Sequence, residues 1–438
     1  MRVIIVLGSV NECLWGFILL PLTIFVGAVL LCRCGGLKFF KFNKIFKIAF
    51  SKSGNNGISP FGAMCTALSG TMGIGNIAGV GTAIALGGCG AVFWMTVSAF
   101  LCMTLKFSEV ALAVEYRSET DNGFRGGLFY IIENALPKIR PLGTVFAVLT
   151  VMCSVGTGGV SQSGSAAAAM ESAFGVPKWQ TGAIIGLICL ILLSISAVML
   201  SRIEAAVIPI LTLLFTGGCV AVIISADNSI FDAVFEILSD AFDFKSVLGG
   251  VGGFTVSSAL RYGVSRGVFT NEAGMGSAPI VHSETAADPL KQGCLGIIEV
   301  LTDTVIMCPI TALAIICTDS HRLCGVSPVN FTQAAFSGVF GRCGTAFVAI
   351  ASLLFAIGSS VGWSFYGRRA SEYLFGSGRF SAIYCVLFCT ITAFGACLPE
   401  LQIFELADIL NGLMMLPSLF VLMILSKRAG DIAKGLKK

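Results

Sequence analysis

The stretch Ser69-Gly70-Thr71-Met72-Gly73-Ile74-Gly75-Asn76 lies inside an apolar run from 60 to 88. Such a run is long enough to cross a hydrocarbon core of about 30 Å as a helix. Each glycine lowers helix propensity by about 1 kcal/mol relative to alanine, so three within six positions make a local opening inexpensive. In lipid, the amides and carbonyls of an opened helix must find partners. A bound carboxylate supplies an acceptor for amides, and a cation supplies a centre for carbonyls. The same glycines also read as positions where helices pack closely, and the stretch alone leaves both readings open.

The rest of the chain places this stretch in a membrane. Of 438 residues, 55% are hydrophobic and 12% charged, about half the charged share of a soluble domain. Reading apolar runs against loop signals predicts an all-α membrane protein with eleven spans, near 15–32, 60–88, 91–115, 142–170, 181–200, 204–225, 249–267, 293–317, 345–366, 381–397 and 404–425. The whole of 1–438 reads as one membrane domain without a soluble module. The loop holding Arg33, Lys38, Lys41, Lys44, Lys47 and Lys52 contains no acid, which places it in the cytoplasm and the N-terminus outside. Alternation puts Arg117, Arg125, Arg202, Arg266, Arg368, Arg369 and the basic tail 426–438 on the cytoplasmic side. The expected location is the inner (plasma) membrane.

With the first span (15–33) set aside, ten remain as five plus five, 60–226 and 249–425. Inverted repeats of this kind interrupt the first helix of each half at the binding site. In the second half the run Gly249-Gly250-Val251-Gly252-Gly253-Phe254-Thr255 occupies the corresponding span, so Gly252, Gly253 and Phe254 join the expected substrate contacts. Gln162, within a run of glycines and serines, adds a polar group in another span. Ser359 and Ser360, followed by Gly362-Trp363, offer hydroxyl oxygens that suit a hard cation or bond back to their own helix.

Glu299 and Asp303, four apart on one helix face, are intramembrane carboxylates and so candidates for gating or coupling, or an interfacial polar patch. Glu109, with Lys106 one turn away, reads as a structural ion pair. His282 and His321 fall in predicted loops and receive no function. The 17 cysteines show no metal-site spacing; Cys324 and Cys343 share an outer loop, where pairing is open. There is no GxxxxGK[ST] loop for ATP and no nucleophile–histidine pair in one span, so no enzyme, no cofactor and no nucleic-acid surface is expected.

Several stretches resemble the alanine/glycine:cation symporter family, also called sodium:alanine symporters: TALSGTMGIGNIAGVGTAIA from Thr66 to Ala85, KFSE and LAVEYR before Arg117, RGVFTNEAGMGSAP from Arg266 to Pro279, WSFYG at Trp363, SEYLFG at Ser371 and DILNGLMMLPSLF from Asp408. The resemblance runs from about residue 11 to about residue 425. It implies a leucine-transporter-type core of two inverted five-helix repeats plus an N-terminal helix, and sodium-coupled uptake of a small neutral amino acid such as alanine or glycine. It implies that Gly70, Thr71, Gly73, Gly75 and Asn76 meet the substrate backbone. Gln162 and Trp363 would complete the pocket. Ser359 and Ser360, with backbone carbonyls near Gly70 and Thr71, would hold sodium. Asn271 and Glu272, in the NEAGMGSAP signature, would move at the cytoplasmic end of the sixth core helix.

The chain also departs from the family pattern. Gly358-Ser359 stands where the family has a Ser-Thr pair, so one hydroxyl ligand of the sodium site is lost or displaced. GGP motifs read GGCG at Gly87 and GGLF at Gly126, Arg368 replaces an acid, and small residues surround Gln162. Proton coupling through Glu299 or Asp303, and a non-transporting membrane sensor, are the rival expectations.

Overall fold

The structure is a computed structural model and describes residues 2–51, 57–120, 123–242, 252–376 and 378–436. It is nearly all helix, with one two-stranded hairpin, Ser118–Thr120 against Gly123–Arg125. Among the described residues, seven helices are long and apolar enough to cross a membrane: Leu7–Cys34, Gly90–Glu115, Pro137–Phe174, Ala197–Ser225, Pro289–Cys317, Pro328–Phe375 and Gln402–Ile424. Each overlaps an expected span. Lys178–Leu193 and Arg379–Gly395 are apolar but shorter.

The 60–88 run is two half-helices, Pro60–Thr71 and Ala78–Gly87, around a break. Pro60 at the first position and the Ser59 hydroxyl, which accepts from Gly62 N at 3.0 Å, start the leading half. At the other end Met72 leaves helical geometry and a single 3₁₀ turn, Ile74–Asn76, bridges to the trailing half.

Hydropathy misplaced three boundaries. The turn expected between 200 and 204 lies at 194–196, because Ser196 is extended and its hydroxyl caps the next helix through Met199 N. Glu204 is therefore inside a membrane helix. The span expected at 345–366 belongs to Phe331–Phe375, whose leading segment bends at Gly341 (φ 56°, ψ −137°). The third concerns the second glycine run. Gly249 to Val251 lie outside the described residues, while Gly252 opens a regular helix, Gly252–Asn271. The same helix is interrupted at its other end, at 272–278, before the short helix Pro279–His282. Its polar sequence read as a loop, yet every residue from Asn271 to His282 is buried. Glu272, Gly274 and Gly276 have positive φ (53°, 82° and 78°), a conformation that glycine adopts without strain. Arg266 is likewise no loop charge: it lies in the bundle, its guanidinium paired with Asp408.

Lipid-facing and interior surfaces separate cleanly on Ala197–Ser225. Leu200, Ser201, Glu204, Ile208, Leu211, Phe215, Cys219 and Val222 form one buried stripe at helical spacing, while Ile210, Leu213 and Leu214 point outward. Three helices depart locally from α geometry: Glu12–Leu19, Ser154–Ser161 and Leu301–Met307 are π-helical turns. Such widened turns present side chains that a regular helix would turn away. The last two flank the first break.

Candidate substrate and cation site

At the first break the helical hydrogen-bond ladder gives way to short-range bonds, Asn76 N to Gly73 O and Ile77 N to Ile74 O. The amide of Ile74 is met by a side chain: Gln162 Oε1 accepts from it at 3.0 Å. Gln162 follows directly on the π turn Ser154–Ser161, which is how it reaches the break. A β-carbon at Gly73 would stand 2.6 Å from Gln162 Oε1 and 3.1 Å from Ser359 Oγ. One at Gly75 would meet Thr270, and one at Gly70 would meet the Tyr366 hydroxyl. The glycines thus let four helices converge on the same few residues.

Ser359 Oγ donates to Gly70 O at 2.8 Å, which sets a hydroxyl and a helix-end carbonyl oxygen side by side. Ser360 turns away and bonds Gly158 O at 2.8 Å. Thr71 donates to Leu68 O on its own helix. Trp363 is buried, with its Cβ against Gly158 and its ring 5.6 Å from that of Tyr366.

Asn76 reaches the other π turn. Its Nδ2 donates to Asp303 Oδ1 at 2.7 Å, and Thr304 Oγ1 donates to Asp303 Oδ2 at 2.8 Å. Thr270 lies 3.3 Å from Thr304 Oγ1, and Asn271 Nδ2 donates to the same oxygen at 3.1 Å. Asn76 Oδ1 remains unpartnered in this buried cluster. Asp303 and Asn271, expected as gating groups, are therefore part of the same convergence.

Glu299 belongs elsewhere. Its Oε1 lies 2.5 Å from His282 Nε2 and its Oε2 3.9 Å from Lys106 Nζ. His282 is fully buried rather than in a loop, and its Nδ1 lies 2.8 Å from Gln292 Oε1. Glu109, 3.8 Å from Lys106, also accepts from the amides of Gly274 and Gly276 at 3.0 Å each. A neighbouring helix thus braces the second break with a carboxylate; the ion pair read from spacing is one part of that brace. Glu272 accepts from Ser277 Oγ within the break.

Sequence reasoning missed Thr270 and Tyr366, although both lie inside stretches that carry the family resemblance, Thr304, which carries no motif signal, and Glu204, assigned to the start of a span. Cys324 and Cys343 are free and exposed. His321 lies with Cys89 and Glu236 in an arrangement of metal-ligand type, but Arg322 Nη2 occupies the same Glu236 oxygen at 2.7 Å.

The sodium:alanine symporter family matches residues 2–438. Sodium/alanine symporter AgcS of Methanococcus maripaludis is 33% identical over 96% of this chain and 94% of its own length. The probable sodium/glutamine symporter GlnT of Bacillus subtilis is 33% identical over 96% and 88%. Among solved structures, a variant of the Eremococcus coleocola manganese transporter superposes with a TM-score of 0.56 at 15% identity, over 88% of this chain and 87% of that one. MhsT in complex with L-phenylalanine gives 0.51 at 14%, over 88% and 100%. These two share the fold. The chain is a multi-pass membrane transporter, not an enzyme, and it belongs to the sodium:alanine symporter family.

Proposed function

We propose that this chain couples sodium entry to uptake of a small neutral amino acid, alanine or glycine, by alternating access. The observation that carries the reading is the pairing of Gly70 O with Ser359 Oγ at 2.8 Å beside a break whose next amide is held by Gln162. A carbonyl and a hydroxyl in that position are hard oxygen donors for sodium. Amides at the start of the trailing half-helix, Ala78–Gly87, favour a carboxylate through the helix dipole. The side chains that crowd Gly73 and Gly75 favour a cargo with a small side chain.

In this reading the breaks at 72–77 and 272–278 are the corresponding interruptions of two inverted repeats, 60–226 and 249–425, and they pack together where Gly75 meets Thr270. The N-terminus lies outside and the tail 426–438 in the cytoplasm. The names of the relatives, alanine in one case and glutamine in another, support an amino-acid cargo.

Asp303 favours a second reading, proton coupling, because a buried carboxylate bonded to a residue of the break can link protonation to its movement. Reconstituted uptake of labelled alanine under separately imposed sodium and proton gradients separates the two. Accumulation under a sodium gradient alone is expected. Accumulation only under a pH gradient supports the second reading, and absence of uptake for alanine, glycine and glutamine alike overturns both.

A further inference from the structure

Glu204 has no place in the scheme above. It is 5% exposed, on the buried stripe of Ala197–Ser225, and neither carboxylate oxygen has a hydrogen-bond partner. The polar side chains facing it are the hydroxyls of Thr66 and Ser69 on the leading half-helix, and they too are unpartnered. Cys65 and Tyr366 are the titratable side chains nearby, and neither is a cation. Among the described residues no lysine, arginine or histidine pairs with Glu204. An unpaired carboxylate buried in a membrane bundle is costly, and such groups face a functional cation or a partner.

The place where the family pattern loses a hydroxyl lies next to this group. A β-carbon at Gly358 would come 2.8 Å from Ser69 Oγ and 3.4 Å from Ile208 Cδ1. Ile208 is one helical turn beyond Glu204 on the same face. The adjacent Ser359 already bonds the carbonyl of Gly70, the residue after Ser69. Glu204 therefore faces the stretch of the leading half-helix, Thr66 to Gly70, whose last carbonyl Ser359 bonds.

We propose that Glu204 is a ligand of a monovalent cation site, with Thr66 and Ser69, and that its carboxylate takes the role left open by Gly358. The proposal rests on the sodium-coupled reading and identifies the cation as sodium. A carboxylate and two hydroxyls are hard oxygen donors of the kind a monovalent cation takes.

The test uses the purified full chain, with equilibrium binding of radiolabelled sodium in detergent and sodium-dependent alanine uptake in proteoliposomes. Glu204→Gln is expected to raise the sodium concentration for half-saturation in both assays roughly tenfold or more, the scale of a lost charged ligand. Glu204→Asp, which keeps the charge, should recover much of that loss and controls for folding. Unchanged half-saturation in Glu204→Gln, with sodium-dependent uptake intact, overturns the proposal and leaves the sodium reading standing. Uptake by the unaltered chain that responds to protons and not to sodium overturns both. Equal loss in Glu204→Gln and Glu204→Asp, with unaltered thermal melting, also overturns it.

Discussion

Asn76 donates from Nδ2 to Asp303 Oδ1 at 2.7 Å and so ties the first break to the π turn at Leu301–Met307. Asp303 also accepts from Thr304, whose hydroxyl lies within reach of Thr270 and Asn271 at the end of Gly252–Asn271. One carboxylate thus touches the break directly and, through Thr304, the helix leading into the second. If this cluster couples cation occupancy to movement, Asp303→Asn should reduce the initial rate of alanine uptake at least about fivefold, the lower end of ordinary coupling energies. Asn76→Ala should act in the same direction. Substrate binding measured separately from uptake should fall less than the rate; equal falls would assign Asp303 to the pocket instead.

Ser359 and Ser360 are adjacent but have different partners, Gly70 O and Gly158 O, each at 2.8 Å. The expectation that both face sodium is thereby reduced to one. Ser359→Ala should raise the sodium requirement roughly tenfold, as expected for losing a donor to a charged ligand. Ser360→Ala removes a bond between two packed helices and should appear as a modest loss of thermal stability, about 1 kcal/mol, with the sodium requirement little changed. Sodium titrations of uptake beside melting curves distinguish these outcomes. Equal sodium shifts in both variants would contradict the geometry.

Two glycines near the first break differ sharply in surroundings. A methyl at Gly73 would press on Gln162 Oε1 and Ser359, whereas one at Gly79, in the trailing half-helix, meets nothing within 4 Å. Gly79→Ala should be neutral or stabilising by up to about 1 kcal/mol, because alanine is the better helix former. Gly73→Ala should abolish most uptake while the protein still melts cooperatively, since the clash falls on the two side chains that define the site. Uptake and thermal melting of both variants provide the comparison.

The amount of this legible in sequence follows from physics. Long apolar runs report burial in lipid, so seven continuous helices were predictable, and because helix propensity is local the glycines from Gly70 to Asn76 marked where a break was possible, although they fitted close helix packing as well. The break at 272–278 went unread for the opposite reason. Asn271, Glu272 and Ser277 are polar, and hydropathy counts them as loop, although in the interior Thr304 meets Asn271, Ser277 donates to Glu272, and Glu109 takes the amides of Gly274 and Gly276. His282 was misjudged in the same way, because Gln292 and Glu299 cannot be foreseen as its partners. Glu204 was missed because a serine cap, rather than a change in hydropathy, marks where its helix begins. Side-chain partnerships between distant helices have no one-dimensional signature.

The last prediction concerns the charge cluster at the Arg368–Arg369 end of the bundle. Arg369 bonds Glu284 through Nε and Nη2 at 2.6 and 2.9 Å, and its Nη1 meets Glu372 at 2.6 Å. Arg125 adds a second guanidinium to Glu284 at 3.2 Å. Glu284 lies two residues beyond the short helix Pro279–His282, so this clamp fastens the end of the second interrupted helix to Phe331–Phe375. It also forms part of the wall of a cavity of about 700 Å³ that reaches Ile58 and Ile195. The side chains of Arg369 and Glu284 are 11% and 5% exposed, so removing one partner strands a largely buried charge. Arg369→Met should therefore destabilise the protein by about 3–5 kcal/mol, and removing both charges with Arg369→Met and Glu284→Gln together should cost less than the single change. Thermal melting of the two single variants and the double variant gives the coupling directly. Additive losses would show that the clamp contributes no more than a surface pair.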